Sequence, residues 1–267
     1  MVIDCFTFLN EFELLEIRLR HLWDFVDKFV IVEADHTHRQ TPKPFNFRSR
    51  MKDFAWAASK VIYIPYHFPI ERLLPEPWTY ENDQRNAIAL AFEELSPDDI
   101  VMVGDLDELP SHHGMQVVFD AIKKGDQRHY ALLQKFHLYT FDCRRLKERD
   151  WPSTVICLRK NIPSPQWLRS LRYSFVHIPN GGHHFSYLTA DPQAVLYKLG
   201  AWAHAELDKP EWHNTNYVSN QMSSAKDLFQ YYEYEFYDPR TDPFFPQIIL
   251  KNADKYRHLF RNPLPTS

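Results

Sequence analysis

The sequence predicts an α/β fold: a mostly parallel, Rossmann-like sheet flanked by helices. Three observations carry that expectation. Short β-branched runs alternate with helix-spaced segments through the first hundred residues. One run, Ile100-Val101-Met102-Val103, leads through Gly104 into three carboxylates, Asp105, Asp107 and Glu108. Hydrophobic residues make up 44% and aromatics 15% of 267 residues, enough to bury a large core.

In order, Val2–Leu9 reads as a strand. Glu11–Trp23 has helical spacing, with Phe12, Leu15, Leu19 and Leu22 on one face and Glu13, Glu16, Arg18 and Arg20 mostly elsewhere. Lys28–Ala34 is the second strand. A polar loop from Asp35 to Phe47 follows, in which Pro42-Lys43-Pro44 bars regular structure. Arg48–Ala58 is a helix, Lys60–Tyr66 the third strand, Glu81–Leu95 a helix and Ile100–Val103 the fourth strand. Such alternation implies right-handed βαβ units, whose ligands bind beyond the carboxyl ends of the strands. The pattern then loosens. Tyr130–Phe141, Val155–Leu158 and His183–Leu188 read as strands. Asp191–Glu206 reads as a helix with Asp191 at the N-cap and Pro192 at the first helical position. The tail from Pro239, rich in proline and aromatics, is expected to wrap the surface.

Charge and cysteine narrow the class. Thirty-one basic against 35 acidic residues, net -4, argues against a nucleic-acid binder, though a nucleotide held by local groups stays open. Cys5, Cys143 and Cys157 are few, odd in number and widely spaced, which suggests reduced thiols. No stretch approaches the roughly 18 apolar residues of a membrane span. The N-terminus lacks a basic leader, so no signal peptide is expected, and the expected location is cytoplasmic or membrane-peripheral.

Carboxylates at the mouth of a buried strand repel one another and resist desolvation. Asp105 and Asp107, two apart, point the same way in extended chain, and oxygen ligands suit Mg²⁺ or Mn²⁺ bridging to phosphates. The plainer alternative is a solvated acidic turn capping a helix that begins near Ser111.

Four stretches together resemble glycosyltransferase family 17, the family of the bisecting β1,4-N-acetylglucosaminyltransferase. They are FLNEFELLEIRLRHLWDFVDKFVIVEAD (Phe8–Asp35), TPKPFNF (Thr41–Phe47), GDLDELPS (Gly104–Ser111), and GGHHFSYL with KLGAWAHAEL (Gly181–Leu188, Lys198–Leu207). The resemblance implies a GT-A type fold and a single catalytic domain over 1–267. Its parts would be a nucleotide-binding half (1–110), an acceptor half (111–240) and a C-terminal tail (241–267). It further implies inverting, metal-dependent transfer of N-acetylglucosamine from a UDP-sugar donor, UDP-GlcNAc, to a glycan or glycolipid acceptor. Asp105 and Asp107 would hold the divalent cation, Mn²⁺ or Mg²⁺, with Asp105 also at the nucleotide-sugar.

His184 matches the family's histidine and is a third candidate metal ligand, while His183 stands where the family has tryptophan. Inversion needs a base, for which Glu33, Glu108, Asp142 and Glu206 are candidates. Asn10, Glu11, Glu33, Lys43 and Arg85 are candidates for the nucleotide-sugar. Each has a structural alternative: a helix cap for Asn10 and Glu11, an ion pair with the acidic cluster for Arg85, a solvated loop for Lys43, a helix-start carboxylate for Glu108. His204 and Glu206, two apart, do not share a helix face. His36, His38, His112 and His113 are expected to be plain polar residues, and Trp78, Trp151, Trp167 and Trp202 packing residues rather than sugar platforms. Two other classes stay open: a nucleotidyltransferase using the same edge, which would release pyrophosphate, and a catalytically silent glycan-binding module.

Overall fold

The structure is a computed structural model that describes residues 1–69, 76–146, 151–203, 209–262 and 264. The expected strands form its frame. β1 (Val2–Phe8), β2 (Lys28–Ala34), β3 (Val61–Tyr66) and β4 (Ile100–Asp105) lie in the order β3-β2-β1-β4 and pair in parallel throughout. The first three, β1 to β3, are each followed by a helical crossover long enough to return the chain to the same end. These include α1 (Phe12–His21) after β1 and α3 (Pro77–Asn86) after β3.

Beyond β4 the sheet turns antiparallel. β8 (Trp151–Leu158) pairs antiparallel with β4, and β6 (Tyr130–Leu138) antiparallel with β8. β7 (Cys143–Arg145) and β10 (Tyr234–Phe236) extend that edge, again antiparallel. The link between β6 and β7 is too short for a crossover, which forces this direction. β9 (Val176–Ser186) runs parallel to β6 and reaches back to a three-residue strand, β5 (Glu108–Pro110). The parallel character is thus confined mainly to the first half.

Both faces of the parallel strands are covered, which explains their near-continuous apolar runs. Alternation sends Phe6 and Phe8 to one side, against Phe29, Ile31, Met102 and the Leu15 and Leu19 face of α1. It sends Ile3 and Cys5 to the other, against Val30, Val32, Val101, Val103 and the 3-10 segment Ala87–Glu94. All three cysteines are buried and free, and burial pushes the Cys143 and Cys157 thiols up to about 12. No described helix is long and apolar enough to cross a membrane.

Several boundaries shift for identifiable reasons. The helix expected at Arg48–Ala58 begins at Asn46 as α2 (Asn46–Arg50) and tightens to a 3-10 segment, Met51–Ala57. Its first free N–H groups, those of Asn46 and Phe47, donate to Glu33 across the loop rather than to a local cap. The helix expected at Glu81–Leu95 starts four residues early, at Pro77, a residue suited to a first turn. β6 stops at Leu138, where Tyr139 takes φ +64 and turns the chain. The expected caps form. Ser111 accepts from Gly114 N–H to start α4 (His112–Lys123), and Asp191 accepts from Gln193 N–H to start α6 (Pro192–Ala201). α6 is shorter than expected, and its expected end, with His204 and Glu206, lies outside the described residues. The tail does more than wrap the surface, since Phe245, Ile249, Tyr256, Leu259 and Phe260 join the main core.

Candidate active site

The motif turn Asp105–Glu108 is built from inside the fold. Arg18, on α1, has a fully buried side chain, contrary to its expected outward position. Its Nη1 donates to the carbonyl oxygens of Asp105, Leu106 and Glu108, at 3.0, 3.2 and 2.6 Å. Glu108 folds back so that Oε2 accepts the Asp105 N–H at 3.1 Å. Gly104 is needed there, because a Cβ would come within 2.5 Å of Thr154 Oγ1. These contacts leave the Asp105 and Asp107 carboxylates on the far side, at the C-terminal end of β4.

Each carboxylate meets cations from distant segments. Asp105 Oδ1 lies 3.0 Å from Arg85 Nη2, and Oδ2 lies 2.6 Å from Arg169 Nη2 on α5 (Pro165–Leu171). Arg169 also reaches Glu108 Oε1 at 2.5 Å. Asp107 Oδ2 lies 3.0 Å from Lys198 Nζ, which also reaches Glu11 Oε1 at 3.1 Å. Burial alone would raise both aspartate pKa values, but the neighbouring charges overcome it. Arg169 and Arg85 hold Asp105 well below the usual carboxylate range, and Lys198 and His184 do so for Asp107.

The β5–β9 pairing delivers the histidine. Glu108 sits opposite His184, and Gly182 lets the strands close, since a Cβ there would overlap the carbonyl oxygen of Leu109. His184 Nε2 stands 3.4 Å from Asp107 Oδ1, longer than a good hydrogen bond, and its buried Nδ1 has no partner among the described residues. A buried imidazole with neither nitrogen well satisfied points to a missing ligand. Among the described residues no three His, Cys, Asp or Glu side chains converge into a protein-only metal cage. Mg²⁺-like ions do not need one, being commonly held by one or two carboxylates and substrate phosphates. Asp107 and His184 therefore fit such an ion. Asp105, with both oxygens on guanidinium groups, fits it less well than expected.

These residues floor a cavity of about 500 Å³ that also takes in Glu11, Lys43, Glu81 and Gln84. Four expectations change. Glu33 is fully buried, and its carboxylate accepts the Phe47 N–H and the Tyr63 hydroxyl at 3.1 and 2.9 Å, so it organises the loop behind Lys43 and does not line the cavity. Glu108 is also fully buried and positions Arg169 and the motif backbone. Asp142 accepts the Arg261 and Asn262 N–H groups at 2.9 and 2.8 Å, which anchors the C-terminal segment. Asn10 is exposed and outside the cavity lining, and neither it nor Glu11 caps α1 with its side chain. The ion pair expected for Arg85 as its structural alternative is present, yet Arg85 also lines the cavity.

Other side chains surface that local pattern left out. Arg169 carries no motif signal of its own, Lys198 opens the KLGAWAHAEL stretch but was given no role there, and Arg18 looks like an exposed helix residue in sequence. His36 and His38, discounted as solvent-facing, both line the cavity, with His38 Nε2 3.0 Å from Gln84 Oε1. Trp151 and Trp202 line it as well, whereas Trp167 packs on His129 and Phe175. His112 stacks on His21 and Phe25, away from the site.

Known proteins give this geometry a family. The model of glycosyltransferase family 17 matches residues 1–263. Curated relatives from Rattus norvegicus and Homo sapiens, both named beta-1,4-mannosyl-glycoprotein 4-beta-N-acetylglucosaminyltransferase, are 25% identical over 301 residues. Those alignments cover 98% of this chain and 55% of the relatives, so the chain spans about half their length. Among solved structures, S. aureus TarS 1-349 aligns with a TM-score of 0.40 and 9% identity, over 84% of this chain and 71% of that one. Francisella tularensis 2-C-methyl-D-erythritol 4-phosphate cytidylyltransferase gives 0.33 and 9%, over 65% and 81%. Likenesses that faint add nothing to the sequence match. That match runs through every strand of the parallel half, the DLDE turn and the returning histidine strand, and on it the chain belongs to glycosyltransferase family 17.

Proposed function

We propose that this chain is a metal-dependent, inverting glycosyltransferase that moves N-acetylglucosamine from UDP-GlcNAc to a glycan acceptor, forming a β-linkage, β1,4 to mannose by the relatives' name. The observation that carries the reading is the place of Asp105 and Asp107. Asp105 ends a parallel strand and Asp107 lies just past it, where α/β sheets take nucleotides, and both line a cavity large enough for a nucleotide-sugar. Family membership supports the reaction class.

Asp107 and His184 would hold the divalent ion, Mn²⁺ or Mg²⁺. When bound, it supplies Lewis-acid stabilisation of the charge that grows on the leaving diphosphate. Arg85, Arg169 and Lys198 bring three positive charges to the same floor and contact the diphosphate oxygens, the arginines with forked geometry. Lys43 lines the nucleotide end, with Glu33 at 3.4 Å behind it. The base is Asp227. Of the carboxylates lining the cavity, Glu11, Glu81, Asp105 and Asp107 each have a cation at ion-pair distance. Asp227 has none among the described residues; its two oxygens accept the Phe229 and Tyr231 N–H groups but each keeps a second lone pair, and burial raises its pKa, which suits a proton acceptor. It takes the acceptor hydroxyl proton as that oxygen bonds to the sugar C1. The bond from C1 to the diphosphate oxygen breaks, and its electron pair leaves with UDP.

Calorimetric titration of UDP into the purified chain, with Mn²⁺ and then with EDTA, tests the nucleotide–metal site. Binding with metal and its loss with EDTA are expected, followed by release of UDP rather than pyrophosphate from UDP-GlcNAc. A folded sample that binds UDP under neither condition would overturn the reading.

A further inference from the structure

The cavity crosses the sheet edge in strand order, and its lining changes as it goes. At the β1–β2 end it is mixed and polar, with Thr7, Glu11, His36, His38 and Lys43. Past the motif on β4 it becomes aromatic. Phe136 comes from β6, Trp151 from the start of β8, Tyr234 from β10, and Tyr231 and Tyr232 from the turn before β10.

This wall is held open rather than packed shut. Tyr231 and Tyr232 line the cavity yet remain 62% and 44% exposed. The Arg145 guanidinium is sandwiched between Phe136 and Tyr232, 4.8 and 4.2 Å from their ring centres, which braces both rings. The Asp227 carboxylate accepts the Phe229 and Tyr231 N–H groups at 3.1 and 3.2 Å and fixes the turn that presents the two tyrosines. Trp151 Nε1 is buried with no partner among the described residues. Phe136 also packs edge-on against His184, with centroids 4.6 Å apart, so the wall is continuous with the motif.

Ring faces carry negative charge density and attract C–H edges, while indole N–H and arginine donors bind hydroxyl oxygens. A pyranose ring offers both. We propose that the wall formed by Phe136, Trp151, Tyr231, Tyr232 and Tyr234 is the acceptor subsite, seating a pyranose ring of an oligosaccharide beside the motif. The assignment rests on the transferase reading, and it fits the linear order of the cavity: nucleotide on the parallel strands, leaving group at β4, acceptor on the antiparallel edge.

The test uses the full chain, its Tyr231→Ala/Tyr232→Ala double variant, Tyr232→Phe and Trp151→Phe. The alanine changes fall on exposed side chains, so folding is spared. Retention is measured on immobilised mannose- and N-acetylhexosamine-terminated oligosaccharides with UDP and Mn²⁺ present, beside UDP calorimetry on the same samples. The double variant should weaken retention about tenfold or more, with UDP affinity unchanged. Tyr232→Phe should retain binding, and Trp151→Phe should lose part of it. Wild-type retention undiminished in the double variant overturns the subsite while leaving the transferase reading intact. So does failure of the wild type to retain any oligosaccharide while UDP binds, and so does parallel loss of UDP in the double variant. Failure of UDP to bind the wild type is the separate outcome that removes the transferase reading itself.

Discussion

Arg18 grips both carboxylate oxygens of Asp4, Nε to Oδ2 and Nη2 to Oδ1, each at 2.7 Å, with neither side chain exposed. The same guanidinium holds three carbonyls of the Asp105–Glu108 turn, so a buried charge pair in the sheet sets the position of the motif. Removing one partner leaves the other charged in a dry interior. Asp4→Asn should cost on the order of 3–5 kcal/mol, read as a lower urea midpoint, and should weaken UDP binding through the displaced turn. A variant as stable as the parent would remove the clamp from the account.

Asp107 is the test of chemistry rather than fold. In Asp107→Asn, Lys198 keeps its contact with Glu11 at 3.1 Å, so the midpoint should fall by less than in Asp4→Asn, whose ion pair is fully buried. Turnover should fall by about 10² or more, and the metal-dependent heat of UDP binding should vanish. Retention of both would mean that the motif is only an acidic turn.

Glu33 separates structure from catalysis in the opposite sense. Its carboxylate holds the loop through the Asn46 and Phe47 N–H groups and the Tyr63 hydroxyl. Glu33→Gln should lower stability by about 1–3 kcal/mol, yet leave kcat per folded molecule near that of the parent. A large loss of kcat at unchanged stability would return Glu33 to the list of bases.

Asp227 should show the reverse split. Asp227→Asn keeps one oxygen to accept a backbone N–H, so UDP affinity should stay within a factor of about two, while kcat falls by roughly 10²–10⁴. The parent should gain activity with pH as Asp227 loses its proton, at a midpoint above that of an ordinary carboxyl, because burial raises its pKa. An acid limb that survives in the variant belongs to another group.

Stability should fall as the pH drops below about 6.5. Burial lowers the pKa values of His21, His38, His137 and His183, taking His21 to about 3 and His183 to about 4. Unfolded, each takes up a proton near 6.5. Between those limits the unfolded chain holds more protons, so stability rises with pH through the window and is complete above it. The depressed aspartates act in the same direction further down: their contribution is present above about pH 4 and lost as the pH falls below it. Urea midpoints from pH 7 to pH 4 should decline steadily, with a shallower slope in His21→Gln. A flat profile would show that these imidazoles are already accessible to protons.

Local patterning was enough to set the elements and the address of the motif. Lys28–Ala34 is a strand because five of its seven residues, Phe29, Val30, Ile31, Val32 and Ala34, are apolar and can satisfy two buried faces, and it forms over those same residues. Ile100–Val103 did the same for β4, so Asp105 and Asp107 had to emerge at a strand end. Ser111 and Asp191 announced their helices because a cap acts on N–H groups two or three residues away. Which charges meet was settled only by the packing of distant segments. Glu33, Glu108 and Asp107 look alike in sequence, but only Asp107 of the three lines the cavity. Arg169 reaches Asp105 across 64 residues, Lys198 reaches Asp107 across 91, and His184 arrives only because β9 pairs with β5. Periodicity and capping are local interactions, set within a few residues. Ion-pair partners are chosen by strand order and register, which no local pattern contains.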